Sequence, residues 1–170
     1  MTIFPAGISA QGQGALWYVP AIAGANGPTA AEVTAGIDIS CMINGFNPNA
    51  EQAVIQKTRY CTTVQYEIPG RASVTISEIE AVYNPQAPTD TATYKSYSTM
   101  KENVAGFLLN RLGLAFDTAM TTGQFVDIYP IICGIQARVG IDPTTEGDEI
   151  RYRQKLFVSG PVRYDKALLA

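Results

Sequence analysis

Gln124–Gln136 reads QFVDIYPIICGIQ, and Arg151–Tyr164 reads RYRQKLFVSGPVRY. The first stretch is apolar at both alternating parities. The second divides: Tyr152, Leu156, Val158, Val162 and Tyr164 fall on one side, and Arg151, Arg153, Lys155 and Arg163 on the other. Side chains alternate across a strand with a period of two, so both stretches read as β-strands. An apolar strand beside a strand with one basic face predicts a sheet with more than one surface to bury. Such a sheet suits a subunit of an assembly better than a free-standing enzyme.

Working outward, Arg71–Tyr83 (RASVTISEIEAVY) alternates but slips phase between Val74/Ile76 and Ile79/Ala81. A β-bulge near Ser77 or Glu78 would reconcile the two halves and put Ser73, Thr75, Ser77, Glu78 and Glu80 on one polar face. Ala15–Pro20, Ile37–Met42, Cys61–Ile68 and Val104–Arg111 also read as extended. Pro28–Ala35 predicts one or two helical turns, with Pro28 at the start and Gly36 just past the end. Asp90–Glu102 predicts one main amphipathic helix, with Asp90 as N-cap and Tyr94, Tyr97 and Met100 at helical spacing. Ile43–Tyr60 reads as a long loop, because Asn44-Gly45 and Asn47-Pro48 are turn signals. Met1–Gly14 is Gly/Gln-rich and reads as a flexible N-terminal arm or an early edge segment. Lys166–Ala170 reads as a short apolar tail. The sum, about seven strands and one main α-helix, predicts a mainly β fold of two packed antiparallel sheets, a sandwich or barrel.

The chain has 170 residues, about the length of one domain, and a single domain over 1–170 is expected. Its apolar share is 46% and its charged share 16%, below the roughly 25% charge typical of soluble domains. Either the surface is neutral and Thr/Ser/Gly-rich, or much of it is subunit contact, since interface cores are depleted in charge. A net charge of −3 argues against a broad basic nucleic-acid surface. The local basic stripe at Arg151, Arg153, Lys155 and Arg163 is either a solvated face that deters edge aggregation or a set of ionic contacts to a neighbour.

The chemistry inventory is sparse. There is no histidine, which excludes Ser-His-Asp and Cys-His catalysis and His-ligated zinc. Cys41, Cys61 and Cys133 are odd in number and lack CxxC pairing, so they read as small buried hydrophobes in a chain made in a reducing, intracellular compartment. Gly12-Gln13-Gly14 lacks a phosphate-loop ending, and no nucleophile elbow occurs. The acidic Asp142–Glu149 loop does not follow calcium-loop spacing. No catalytic residue, metal site or cofactor is expected, and the chain reads as a non-enzyme. The N-terminus lacks signal-peptide features, and no run reaches the roughly 18 apolar residues of a span, so no membrane insertion is expected.

Several blocks, in order, carry a family resemblance. They are LWYVPAIA (Leu16–Ala23), PTAAEVTAGIDIS (Pro28–Ser40), RYCTTVQYEIPGRASVTI (Arg59–Ile76), FDTAMTTGQFVDIYPIICG (Phe116–Gly134) and RQKLFVSGPV (Arg153–Val162). With these the chain resembles the major tail tube proteins of long-tailed bacteriophages, in particular those infecting actinobacteria. The resemblance implies a β-sandwich or barrel with a helix against one side. It also implies hexameric rings stacked into a hollow tube around a tape-measure protein, with tail terminator and baseplate proteins as further partners. DNA would pass through without specific binding. The location implied is the virion tail, assembled in the host cytoplasm.

Joined to the residues, the resemblance gives site expectations. The Ile43–Tyr60 segment, with Asn47, Asn49, Glu51 and Gln52, would reach a neighbouring subunit. Arg151, Arg153, Lys155 and Arg163 would lie at subunit or ring contacts. Glu78 and Glu80 would face the lumen, where carboxylates repel phosphates. The alternatives are a tail terminator or other tail or head structural protein. From a different class comes a soluble β-sandwich binding module, which would display an aromatic surface cluster, whereas the aromatics here are spread along the chain.

Overall fold

The computed structural model describes residues 11–61, 63–90, 93–140, 144 and 148–170. Its elements run β1 (Gly14–Val19), α1 (Ala30–Thr34), β2 (Ile37–Asp38), β3 (Pro48–Lys57), β4 (Tyr66–Ile76), β5 (Ile79–Val82), α2 (Lys95–Thr99), β6 (Ala105–Leu112), β7 (Phe125–Arg138), β8 (Arg151–Val158) and β9 (Arg163–Ala167). The larger, antiparallel sheet has the order β2-β1-β6-β7-β8-β5, and β9 pairs with the start of β7. β3 and β4 form a second, two-stranded sheet. The fold is mainly β, as the alternation predicts.

The larger sheet curls until its edges are joined by chain. β2 forms one edge. A few residues later Ile43 bridges Ala81 of β5, the opposite edge, with Val82 N–H donating to Met42 O at 2.9 Å and Asn44 N–H to Glu80 O at 3.2 Å. The segment between is held by Ser40, whose hydroxyl accepts from Leu16 N–H at 2.8 Å. A barrel results, and Leu16, Tyr18, Ile39, Ile76, Ile79, Met100, Leu108, Tyr129, Ile131, Cys133 and Leu156 fill it.

β7 is central and buried on both sides over its first half, which is why its sequence is apolar at both parities. Tyr129, Ile131 and Cys133 point into the barrel. Val126 and Ile128 point outward and are covered by Val33 of α1 and by Leu168, alongside Val19 and Leu109. The C-terminal residues are therefore part of the structure: Lys166–Ala167 belong to β9, and Leu168 lies in this second core.

Packing is close where β1 meets β6. A Cβ on Gly106 would lie 2.5 Å from the ring of Tyr18, and the Tyr18 hydroxyl donates to Ala105 O at 3.1 Å. Burial pushes the Tyr18 phenol up to about 12, so it remains a donor at any neutral pH. Gly106→Ala forces that ring out of the barrel. Overpacking of this kind costs about 1–3 kcal/mol, so a fall of roughly 5–10 °C in Tm is expected in a thermal melt.

The first helix forms as its sequence predicts, with Thr29 rather than Pro28 as the cap. Glu32 N–H donates to Thr29 Oγ1 at 3.2 Å and Thr29 N–H donates back to Glu32 Oε2 at 2.7 Å, a reciprocal capping box. Backbone donation from Ala23 and Thr29 holds the Glu32 carboxyl below its ordinary value.

Three expectations are corrected. The helix expected over Asp90–Glu102 is confined to Lys95–Thr99. The Asp90 carboxylate instead accepts from Thr93 N–H at 3.1 Å ahead of the helix, and Ser98 Oγ turns back to Asp90 O and Lys95 O. Short polar side chains compete with helix in this way. At Ser77–Glu78 the strand breaks rather than bulges, because β4 leaves with β3 while β5 pairs with β8. Ile76 and Ile79 still both face the core, which is what the phase slip encodes. The Ile43–Tyr60 loop is largely strand β3, treated below. Within the expected N-terminal arm, residues 1–10 lie outside the described residues. Beyond them, Gly12 O and Gln13 O accept from Phe116 N–H and Gly113 N–H, and Gly14 begins β1, so this part is tied to the barrel.

Candidate assembly interface

β3 and β4 make an arm. At its base Pro48 pairs with Ile76 and Ala50 with Val74, and Ile76 and Val74 anchor the ribbon in the barrel core. After Gln52↔Ala72 the register shifts. Gly70 sits in the shift, where a Cβ would lie 2.9 Å from Ala53 O, so the irregularity requires glycine. Beyond it the pairs are Val54↔Pro69, Ile55↔Ile68, Gln56↔Glu67 and Lys57↔Tyr66.

Directly paired residues share a face. One face of the outer arm carries Val54, Pro69, Gln56 and Glu67, and the other carries Ile55, Ile68, Lys57 and Tyr66. Val54 is 60% exposed, Ile55 48% and Tyr66 52%. A lone two-stranded ribbon has no core of its own. Contiguous exposed apolar side chains of this kind mark a contact surface.

A second uncovered apolar area lies on the outer face of the barrel. α1 and the C-terminal residues cover that face only beside the first half of β7. Further along, Ile132 of β7 pairs with Phe157 of β8. The register shift between Cys133 and Gln136 leaves Ile135 66% exposed, and Phe157 is 55% exposed. The Phe157 ring lies across Gly134, where a Cβ would be 3.0 Å from the ring and 2.8 Å from Lys155 O. Arg153 and Lys155 continue the same face along β8 by strand alternation.

The four basic residues differ in their partners. Arg151 donates to Glu80 Oε2 at 3.1 Å and to Asp148 Oδ1 at 3.0 Å. Lys155 Nζ donates to Ile76 O at 3.1 Å, tying β8 to the base of the arm. Arg163 donates to Ala25 O at 2.8 Å and Gly24 O at 3.2 Å, so it sits on β9, apart from the other three. Arg153 is exposed and makes no hydrogen bond or ion pair among the described residues. Part-exposed ion pairs like those of Arg151 contribute at most about 1 kcal/mol.

Glu78 is exposed in the break between β4 and β5, and Glu80 lies on β5 in contact with Arg151. The strand break separates them from the continuous polar face the sequence suggested. Asn47 is exposed just before β3. Asn49 Nδ2 donates to Glu51 Oε1 at 2.8 Å, and Gln52 Nε2 donates to Gly70 O at 3.3 Å. These four residues lie at the foot of the arm; Val54 and Ile55 of its outer part fall within the Ile43–Tyr60 segment expected to reach a neighbour, whereas Tyr66, Ile68 and Pro69 of β4 lie outside it. The alternation Val64, Tyr66, Ile68 was the one available signal.

Arg111 was also missed. It lies one residue before the end of β6, is 1% exposed, and has no carboxylate among its hydrogen-bond partners. Nη1 donates to Thr118 O at 2.7 Å and Gln124 Oε1 at 3.1 Å, and Nη2 donates to Ala115 O at 2.7 Å. Backbone carbonyls thus replace water around the charge. They hold a loop bracketed by Gly113 and Gly123, whose φ values of 83° and 89° suit glycine. The loop presents Leu114 and Phe116 to solvent.

The cysteines are not all buried as expected: Cys41 and Cys61 are exposed, and only Cys133 is in the core. Burial pushes its thiol up to about 11, so it is a neutral packing group rather than a nucleophile.

A closed barrel with an uncovered arm and an uncovered half-face is a subunit built to be completed by other chains. The family model of the phage tail tube protein matches residues 1–170, the whole chain, and the chain belongs to that family. It is a structural protein of the bacteriophage virion, a component of the tail tube that assembles with its own copies and other tail proteins. A search of the curated proteins finds no match. No helix among the described residues is long and apolar enough to cross a membrane.

Proposed function

We propose that this chain forms hexameric rings that stack into the hollow tail tube, and that DNA is delivered through the lumen. The observation that carries this is the arm, which leaves apolar side chains on both faces without cover in the single chain. A ring needs a heterologous contact that closes by rotation, and a stack needs another that does not close. The arm and the half-covered barrel face supply two such surfaces. In this reading Asn47, Asn49, Glu51 and Gln52 at the foot of the arm, and Arg151, Arg153, Lys155 and Arg163 on β8 and β9, make polar subunit contacts. Glu78, with Glu80, is the lumen candidate, where a carboxylate keeps phosphate from settling.

The tube forms in the host cytoplasm around a tape-measure protein and is closed by terminator and baseplate proteins. The whole chain acts as one tail tube domain, and its role is structural rather than catalytic. A terminator of related fold would stop at one ring. Sedimentation velocity over a range of concentrations separates the two: a tube protein grows into ever larger species, and a terminator gives one discrete boundary.

A further inference from the structure

We propose that the arm of a second copy of this chain lies across the uncovered half of the barrel's outer face. Val54 is then seated against Phe157 and Ile132, and Glu67 lies between Lys155 and Arg153. The contact rests on the tube assembly proposed above and names the surface that receives the arm.

Charge selects which face of the arm is used. The barrel half-face offers Arg153, with no partner among the described residues, and Lys155, whose ammonium has donors left after its bond to Ile76 O. Glu80, directly opposite Arg153 in the β5–β8 register, is already bonded to Arg151. The arm face bearing Val54, Pro69, Gln56 and Glu67 carries one carboxylate and no cation. The opposite face bears Lys57 and would set cation against cation, which disfavours that docking.

Spacing agrees with charge. Val54 pairs with Pro69, and Glu67 lies two positions further along the ribbon. Phe157 and Lys155 are likewise two positions apart on one face of β8. Both separations are about 7 Å at the strand rise, so an apolar contact at one position brings the carboxylate over the ammonium at the other. Val54 remains exposed in the single chain, so the arm does not lie on its own barrel face. The register shift at Gly70 lets the ribbon turn after leaving the core.

The test uses Glu67→Arg, Arg153→Glu and their combination in the full-length protein, with pelletable tube yield and electron microscopy as readouts. All these side chains are exposed, so monomer folding is unchanged by circular dichroism. Each single variant is expected to lower tube yield by about tenfold, and the combination to recover it to within about threefold of the parent. Single variants that assemble like the parent, or a combination no better than the worse single, overturn the contact while leaving the tube proposal intact. A parent that forms no tubes overturns both. As a second measurement, Val54→Cys with Phe157→Cys, in a chain carrying Cys41→Ser and Cys61→Ser, gives a ladder of disulfide-linked multimers on oxidation of the assembled protein. Assembled protein that stays monomeric on a denaturing gel overturns the contact.

Discussion

Replacing residues 53–71 by Asn-Gly leaves a folded monomer and abolishes tube formation. The new turn joins Gln52 directly to its partner Ala72 and keeps the five pairs of the base, from Pro48↔Ile76 to Gln52↔Ala72. Two-residue Asn-Gly turns connect directly paired strands without strain. The deleted part contributes no residue to the buried cores. Changes away from the core cost at most about 0.5 kcal/mol each, so Tm should move by only a few degrees, about 2–3 °C. Tube yield, however, is expected to fall by about a hundredfold or more, because the arm carries exposed apolar side chains on both faces and such anchors dominate association. Pelleting and electron microscopy measure the second quantity. Tubes at near-parental yield would remove the arm from the assembly mechanism.

Arg111→Met gives the largest expected loss of monomer stability. The guanidinium reaches Thr118 O, Ala115 O and Gln124 Oε1 from a fully buried position. Methionine fills much of the volume but leaves those acceptors unpaired. A hydrogen bond from a charged donor is worth about 1.5–3 kcal/mol, so the combined loss is about 3–5 kcal/mol, or roughly 10 °C in Tm. Arg111→Lys is not expected to rescue it, because one ammonium cannot reproduce the fork that spans two carbonyls. Hydrogen exchange should show protection lost first between Gly113 and Gln124. A variant within about 0.5 kcal/mol of the parent would show that the loop is held by something other than this cage.

The legible parts of the fold were those where burial differs between the two faces of an element. β8 shows this most plainly: Tyr152, Leu156 and Val158 face the barrel, while Arg153 and Phe157 face outward. β7 was legible as central because both its faces are covered. Tyr164 and Arg163 obey the same parity on paper but lie on β9, which pairs with the start of β7 on the same edge as β8, after the ladder is interrupted at 159–162. The arm was hidden because both its faces are exposed, and no burial difference forces alternation upon Pro48–Lys57. Buried polar residues were hidden for another reason. Gln154 shares the inward face of β8 yet is 1% exposed, and its amide donates to Met100 O and Gly134 O, both at 2.8 Å. Its partners come from distant parts of the chain, so nothing near it in sequence announces them. The same holds for Gln136, whose amide donates to Tyr97 O and Met100 O and secures the end of α2. The family resemblance was legible throughout, whereas the surfaces that carry assembly emerged only from the exposure of particular side chains.

Negative-stain electron microscopy of the purified, concentrated protein tests the central claim most directly. Long hollow tubes of constant width are the predicted result. A field of single rings, or of monomers that never associate at any concentration, would contradict it.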